Sequence, residues 1–253
     1  MNIRGKVYIV GAGPGDPELL TLKGARLLGK ADFVMYAGSL VNEKILEICP
    51  DGCEMINSVS LDLDEQVRLM TGAVREGRSV VRLHTGDPCL YGAISEQMER
   101  LGKNGIECEI VPGVSSFQGA AARLGIEYTI PGGTQTLICT RMAGRTPVPD
   151  EEDLSALASH RASLVVFLSS GMTEAVVEKC VAAGVPKDTP AAWIYRATWE
   201  DERSCLTTLG DLPRSIGEAG ISRHALIIIG ECLRRDPGLR SLLYTHGFEG
   251  GLA

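Results

Sequence analysis

Three short segments place glycine and proline together behind apolar runs: Gly11-Ala-Gly-Pro-Gly-Asp-Pro-Glu18, His84-Thr-Gly-Asp-Pro88 continuing to Gly92, and Pro112-Gly-Val-Ser-Ser-Phe117. Glycine lets backbone N–H and C=O groups approach a ligand closely, and proline stiffens the turn. Any one such segment is most simply a sharp strand-to-helix turn. Three at equivalent strand ends point instead to a binding site, because ligands of open α/β sheets gather at the carboxyl ends of strands.

Several chemistries are excluded by the same residues. Gly11-x-Gly13 begins a dinucleotide fingerprint, but Asp16 stands where the third glycine belongs. A negative charge there opposes a pyrophosphate at a helix N-terminus. There is no G-x-x-x-x-G-K phosphate loop. Gly113-Val-Ser115-Ser-Phe117 starts like a nucleophile elbow and lacks its closing glycine, so a hydrolase is a poor reading. The four histidines, at 84, 160, 224 and 246, form no zinc pattern. The eight cysteines are scattered without a C-x-x-C pair, and a chain of 253 residues needs no disulfide staples, so they read as reduced thiols.

The elements that must carry these loops alternate. Lys6–Val10, Phe33–Tyr36, Ser79–Leu83 and Glu107–Val111 read as strands. Helices follow: one to about Leu28, then Asp64–Arg75, Ala93–Lys103, and one from about Ser115. This rhythm predicts a mainly parallel sheet flanked by helices. Ile130-Pro-Gly-Gly133 breaks the pattern, which then restarts with strands at Thr136–Thr140, Leu164–Leu168, Ala191–Tyr195, Arg203–Thr208 and Ala225–Gly230. Helices are expected over Glu151–Ser159, Thr173–Ala183 and Leu212–Ala219. The closer strand spacing predicts an antiparallel portion. The chain therefore reads as α/β, with one domain over 1–124, a second over 125–232 and a surface tail over 233–253.

Composition agrees with a globular protein: 44% hydrophobic, 23% charged, with 30 glycines. No apolar run reaches the length of a membrane span, and Val7–Val10 is too short for a signal peptide, so a cytoplasmic location is expected. A formal net charge of −7 argues against a nucleic-acid partner while leaving room for an anionic small molecule met by a few placed arginines.

Gly11–Ala25, Thr85-Gly-Asp-Pro-x-x-Tyr-Gly92 and Val111-Pro-Gly-Val-Ser-Ser116, in this order and spacing, resemble the three hallmark segments of the tetrapyrrole (corrin/porphyrin) methylases. The resemblance runs from about residue 5 to residue 232. It implies two α/β domains with S-adenosyl-L-methionine in the cleft between them, an anionic tetrapyrrole substrate, and a homodimer. Tyr36-Ala-Gly-Ser-Leu-Val41 and Thr140-Arg-Met-Ala-Gly-Arg-Thr-Pro-Val-Pro149 further resemble the branch that methylates C-11 of precorrin-4 or cobalt-precorrin-4 in cobalamin biosynthesis. The alternatives are the uroporphyrinogen III, C-2, C-17 and C-20 branches, a relative that methylates protein or RNA, or a donor-binding sensor.

By that resemblance, Pro14 lies at the cleft mouth, Thr85, Gly86, Asp87 and Leu90 form the loop against the methionine part of the donor, and Ser115 and Ser116 meet its carboxylate. Leu168 and Ala197 match adenosine-contacting positions and Ala225 and Leu226 would add backbone contacts, although residue type alone would place Leu168, Ala197 and Leu226 in a core. Arg141 and Arg145 could hold substrate carboxylates, since a guanidinium fork suits them. Tyr36 and Ser39 would line the macrocycle trough. No catalytic residue is identified: methyl transfer from a sulfonium asks chiefly for alignment and dryness. Asp16 and Asp87 are candidate bases only if binding or capping leaves them free. His84 could titrate beside the second loop.

Overall fold

A computed structural model describes residues 4–234 of the chain. These form two compact α/β units, each with its own five-stranded sheet and core. The first runs to Gly119 and takes in Thr198–Glu200; the second comprises Ala120–Ala197 and resumes at Asp201. Most of the expected tail lies outside the described residues. Among those residues no helix is long and apolar enough to cross a membrane.

In the first unit, β1 (Lys6–Gly11), β2 (Phe33–Tyr36), β3 (Glu54–Asn57), β4 (Val80–His84) and β5 (Glu107–Val111) build a wholly parallel sheet in the order β3-β2-β4-β1-β5. The central strand β1 is apolar on both faces, as a strand covered by helices on either side must be. Tyr8 and Val10 pack with Leu27 and Leu28 of α1 (Leu22–Leu28). Val7 and Ile9 pack on the opposite face with Val67, Met70 and Val74 of α2 (Leu63–Arg75) and with Leu101 of α3 (Ile94–Lys103). The start of α2 is set by Asp62, whose carboxylate accepts from Glu65 N at 2.8 Å, with Asp64 and Glu65 in the first turn and Arg75 in the last. Parallel pairing brings the C-terminal ends of β1, β4 and β5 side by side, and α4 (Ser116–Leu124) begins just beyond β5. β3 was not expected from the sequence; it is a largely exposed edge strand, paired through Phe33↔Glu54, with no apolar run to announce it.

In the second unit, β6 (Leu137–Arg141), β7 (Ser163–Phe167), β8 (Pro190–Tyr195), β9 (Arg203–Thr208) and β10 (Ala225–Ile229) form a mixed sheet in the order β6-β7-β10-β8-β9. Only β6 and β7 are parallel. One face packs beneath α5 (Leu154–Ala158), α6 (Thr173–Ala182) and α7 (Leu212–Glu218), around Val166, Trp193, Ile227, Val176 and Ile216. Trp193 Nε1 donates to Ser215 Oγ at 2.8 Å, which satisfies the one polar atom of a buried indole. The expected helix over Glu151–Ser159 is shorter, because Asp153 caps a fresh start: its carboxylate accepts from Ser155 N and takes Lys179 Nζ at 2.5 Å.

Candidate functional site

The three glycine–proline segments meet backbone to backbone at the C-terminal edge of the first sheet. Gly13 and Gly86 form an isolated bridge, each amide donating to the other's carbonyl, at 3.2 and 2.8 Å. Ala12 N donates to His84 O at 2.7 Å. A Cβ on Gly11 would stand 2.5 Å from Gly86 O and 2.7 Å from Gly113 Cα, and one on Gly113 would stand 2.8 Å from Gly11 Cα. Glycine at 11 and 113 is therefore what allows the strand ends to close together.

Asp87 ties the second loop to the third. One carboxylate oxygen accepts from Gly113 N and the other from Cys89 N, both at 2.8 Å. Asp16 is equally engaged: its side chain accepts from Glu18 N and caps the 3-10 turn Pro17–Leu19. Both aspartates are thus committed to shaping loops, and neither is left as an idle base. Gly92, flanked by the left-handed Tyr91 (φ 57°) and Ala93 (φ 50°), folds the end of the second loop back on Pro88 O, where a Cβ would collide.

Around this clasp lie the expected donor residues of the first unit. Pro14 is buried, Thr85 is exposed and Leu90 is half-buried. Ser115 is buried, with its amide donating to Gln118 Oε1 at 2.9 Å, and Ser116 opens α4. Gly86 (φ +59°) lacks a side chain where a Cβ would reach 3.7 Å from Ser115 Cα and Ser116 N. The start of α4 therefore lies against Gly86, beside the exposed Thr85. An exposed Thr85 side chain beside a helix N-terminus fits a ligand that carries a carboxylate and an ammonium. Tyr36 ends β2 on the same edge of the sheet, its carbonyl accepting from Ser58 Oγ at 2.9 Å, and Ser39 falls in the 3-10 turn Gly38–Leu40 that follows.

His84 does not titrate in the physiological range. Burial first, and then the charge of Arg82, push its pKa down to about 3 against a hydrogen bond with Gln97 that raises it, so the ring stays neutral. Arg82 is itself buried and, among the described residues, donates to neutral oxygens: Gln97 Oε1 and Met35 O at 3.4 Å, and Gln66 Oε1 at 3.3 Å. Burial lowers its pKa to about 10, which leaves it charged.

The second unit, taken by itself, gathers its expected residues at one end of its sheet. Leu168 follows β7, and β10 starts beside it because the two strands are antiparallel, with Ile227 opposite Val166. Ala225 faces Tyr195, so Ala197 lies at the same end. Ala197, Ala225 and Leu226 are buried, but Leu168 is not a core residue: it is 74% exposed, at φ +53°. An exposed leucine in the left-handed region is strained, and such strain concentrates at functional sites. Arg141 ends β6, opposite Phe167 of β7. Its guanidinium is taken up by its own loop, donating to Met142 O, Thr146 O and Pro147 O at 3.2, 3.0 and 2.9 Å. Arg141 thus shapes the 142–147 loop, and Arg145 is exposed upon it. Ser169, fully buried, fixes the same loop by accepting from Met142 N at 2.9 Å.

The sequence profile of the Tetrapyrrole (Corrin/Porphyrin) Methylases matches residues 6–213. This chain belongs to that family. A cobalt-precorrin-4 C(11)-methyltransferase of Methanocaldococcus jannaschii is 47% identical over 249 residues, covering 98% of this chain and 96% of the relative. The X-ray structure of a cobalt precorrin-4 methyltransferase superposes with a TM-score of 0.88 at 47% identity, over 90% of this chain and 96% of that one. A uroporphyrin-III C-methyl transferase from Thermus thermophilus, solved with S-adenosyl homocysteine, gives 0.77 at 32% identity, over 91% and 94%. Sequence reasoning did not single out Asn42, Gln118, Thr198 or Trp199 at this methylase's first and third loops. Trp199, one of only two tryptophans, was the single compositional hint.

Proposed function

We propose that this methylase transfers a methyl group from S-adenosyl-L-methionine to C-11 of precorrin-4, as the cobalt-bearing or the cobalt-free macrocycle, in cobalamin biosynthesis. The observation that carries the reading is the three-loop clasp of Gly11, Gly86 and Gly113, which holds a preformed surface at the strand ends of a tetrapyrrole methylase. The choice of C-11 rests on Tyr36–Val41 and Thr140–Pro149 and on the relatives named for that position.

The donor, when bound, supplies a methyl already activated by its positive sulfur. The chain's own residues have then to grip, orient and keep water away. Thr85, Gly86 and Leu90 present the second loop, and Asp87 holds that loop to Gly113 so that its shape does not change on binding. Ser115 and Ser116 offer the α4 N-terminus to the donor carboxylate, and Pro14 stiffens the first loop. Leu168, Ala197, Ala225 and Leu226 are the proposed adenosine contacts. On the substrate side, Arg145 offers its guanidinium to a macrocycle carboxylate, Arg141 holds the loop that carries Arg145, and Tyr36 and Ser39 line the ring. A cytoplasmic homodimer is part of the proposal and rests on the family resemblance.

The test is a parallel assay of purified protein with the donor and either precorrin-4 or uroporphyrinogen III. A methylated product from precorrin-4 alone supports the assignment. Turnover of uroporphyrinogen III alone would move the protein to another branch of the family.

A further inference from the structure

The tripeptide Thr198–Glu200 falls between β8 and β9 in the chain yet belongs to the first unit. There it lies on the first glycine–proline loop. Trp199 Nε1 donates to Pro14 O at 2.9 Å, and Thr198 Oγ1 accepts from Asp16 N at 2.9 Å. A Cβ on Gly15 would fall inside the Trp199 indole, so the glycine and the ring are complementary. On the side of α4, a Cβ on Gly119 would stand 3.0 Å from Pro14 Cβ and 3.2 Å from Thr198 Cγ2. Asn42 Nδ2 donates to Gly15 O at 2.9 Å. The turn is thus held at Gly13 by Gly86, at Pro14 by Trp199, at Gly15 by Asn42 and at Asp16 by Thr198.

Thr198 carries a second mark. Its φ is +73°, which for a β-branched residue is a genuine outlier, kept only where the surroundings impose it. Nothing in the tripeptide's own sequence asks for that conformation. What it gains is an acceptor placed on Asp16 N and a methyl packed against Gly119.

We propose that Trp199 and Thr198 are positioning residues for the methyl donor: they set the Pro14–Asp16 turn, and through it the first wall of the donor site. The proposal rests on the methylase reading above. It assigns the two side chains no contact with the reacting atoms; they act through the backbone of the loop they hold.

The experiment compares wild type with Trp199→Ala, Trp199→Phe, Thr198→Val, Gly15→Ala and the double variant Gly15→Ala/Trp199→Ala. It reads S-adenosylhomocysteine binding by calorimetry and the KM of each substrate. Trp199→Ala and Thr198→Val should each weaken donor-product binding roughly tenfold, about the cost of leaving one buried donor or acceptor unmade. The donor KM should rise while the macrocycle KM holds. Trp199→Phe, which keeps an aromatic ring but loses the N–H and part of the indole's bulk, should fall between wild type and Trp199→Ala. Gly15→Ala should weaken binding more in the wild-type background than where Trp199 is already alanine, since the clash with the indole is then gone and only the backbone cost remains. The proposal is overturned by unchanged donor-product binding in folded Trp199→Ala and Thr198→Val, by a Gly15→Ala effect equal in both backgrounds, or by donor and macrocycle KM moving together. Should Trp199→Ala fail to fold, the near-isosteric Thr198→Val decides alone. If wild type itself fails to bind S-adenosylhomocysteine, the methylase reading falls and this proposal with it. If wild type binds and the variants bind equally, only this proposal falls.

Discussion

Replacing Asp87 by asparagine separates a loop pin from a ligand contact. In the native site each carboxylate oxygen accepts one backbone amide, Gly113 N and Cys89 N, both at 2.8 Å. Asparagine keeps one oxygen and puts an NH2 group where the other stood, so one amide loses its acceptor and faces a donor instead. A hydrogen bond to a charged group contributes about 1.5–3 kcal/mol, and an unsatisfied amide adds its own penalty. The surviving bond also loses its charge assistance. Together these predict a loss of about 2–3 kcal/mol. For a chain of this size that is a fall in melting temperature of roughly 5–10 °C. Calorimetric scanning, paired with titration of S-adenosylhomocysteine, reads both consequences. Stability and donor-product affinity should fall together, because the second and third loops separate. A variant that melts like wild type yet has lost its affinity would show that the carboxylate touches the donor directly, and the pinning role would be refuted.

Other outcomes follow from the same geometry. Gly113→Ala must push apart Gly11 and Gly86, so donor-product affinity should fall roughly tenfold or more by calorimetry, the effect of about 1–3 kcal/mol of overpacking. Gly72, inside α2, is the contrasting case, since an added Cβ there would meet nothing within 4 Å: Gly72→Ala should stabilise by about 0.5–1 kcal/mol in urea unfolding without touching affinity. Arg145→Ala should raise the macrocycle KM roughly tenfold or more, the value of a charge-assisted bond to one carboxylate, and spare the donor KM. His84 binds a proton more readily unfolded, near 6.5, than folded, near 3. Its contribution to stability is therefore complete above pH 6.5 and is lost progressively as pH falls toward 3. His84→Gln should flatten that part of the urea-unfolding profile.

Much of the first sheet was legible because its central strands are buried on both faces and so read as largely apolar: Val7–Val10, Phe33–Met35 and Val80–Leu83, interrupted only by Arg82, stand out against the polar and Gly/Pro segments around them. β3 escaped because an edge strand with exposed Glu54 and Met55 has no such signature. The loops were legible as a group, since glycine at 11, 86 and 113 answers a backbone demand that composition reveals. Their internal wiring was not. That Asp87 would spend both oxygens on amides, or that Arg141 would spend its fork on the carbonyls of its own loop, depends on where a chain folds back, and residue type says nothing of that. Trp199 is the extreme case, meeting a carbonyl 185 positions earlier in the chain. Leu168 shows the opposite error: its type suggests core, and only the left-handed backbone reveals why it stands exposed.

The central claim is methyl transfer to a single macrocycle carbon from a donor held at the glycine clasp. The most direct measurement supplies purified protein with a donor carrying an isotopically labelled methyl group, adds precorrin-4 with or without cobalt, and locates the label in the product by NMR. One labelled methyl at C-11, formed by wild type and formed less efficiently by Gly113→Ala, is the predicted result. A label at any other ring position, or transfer that survives Gly113→Ala undiminished, would contradict it.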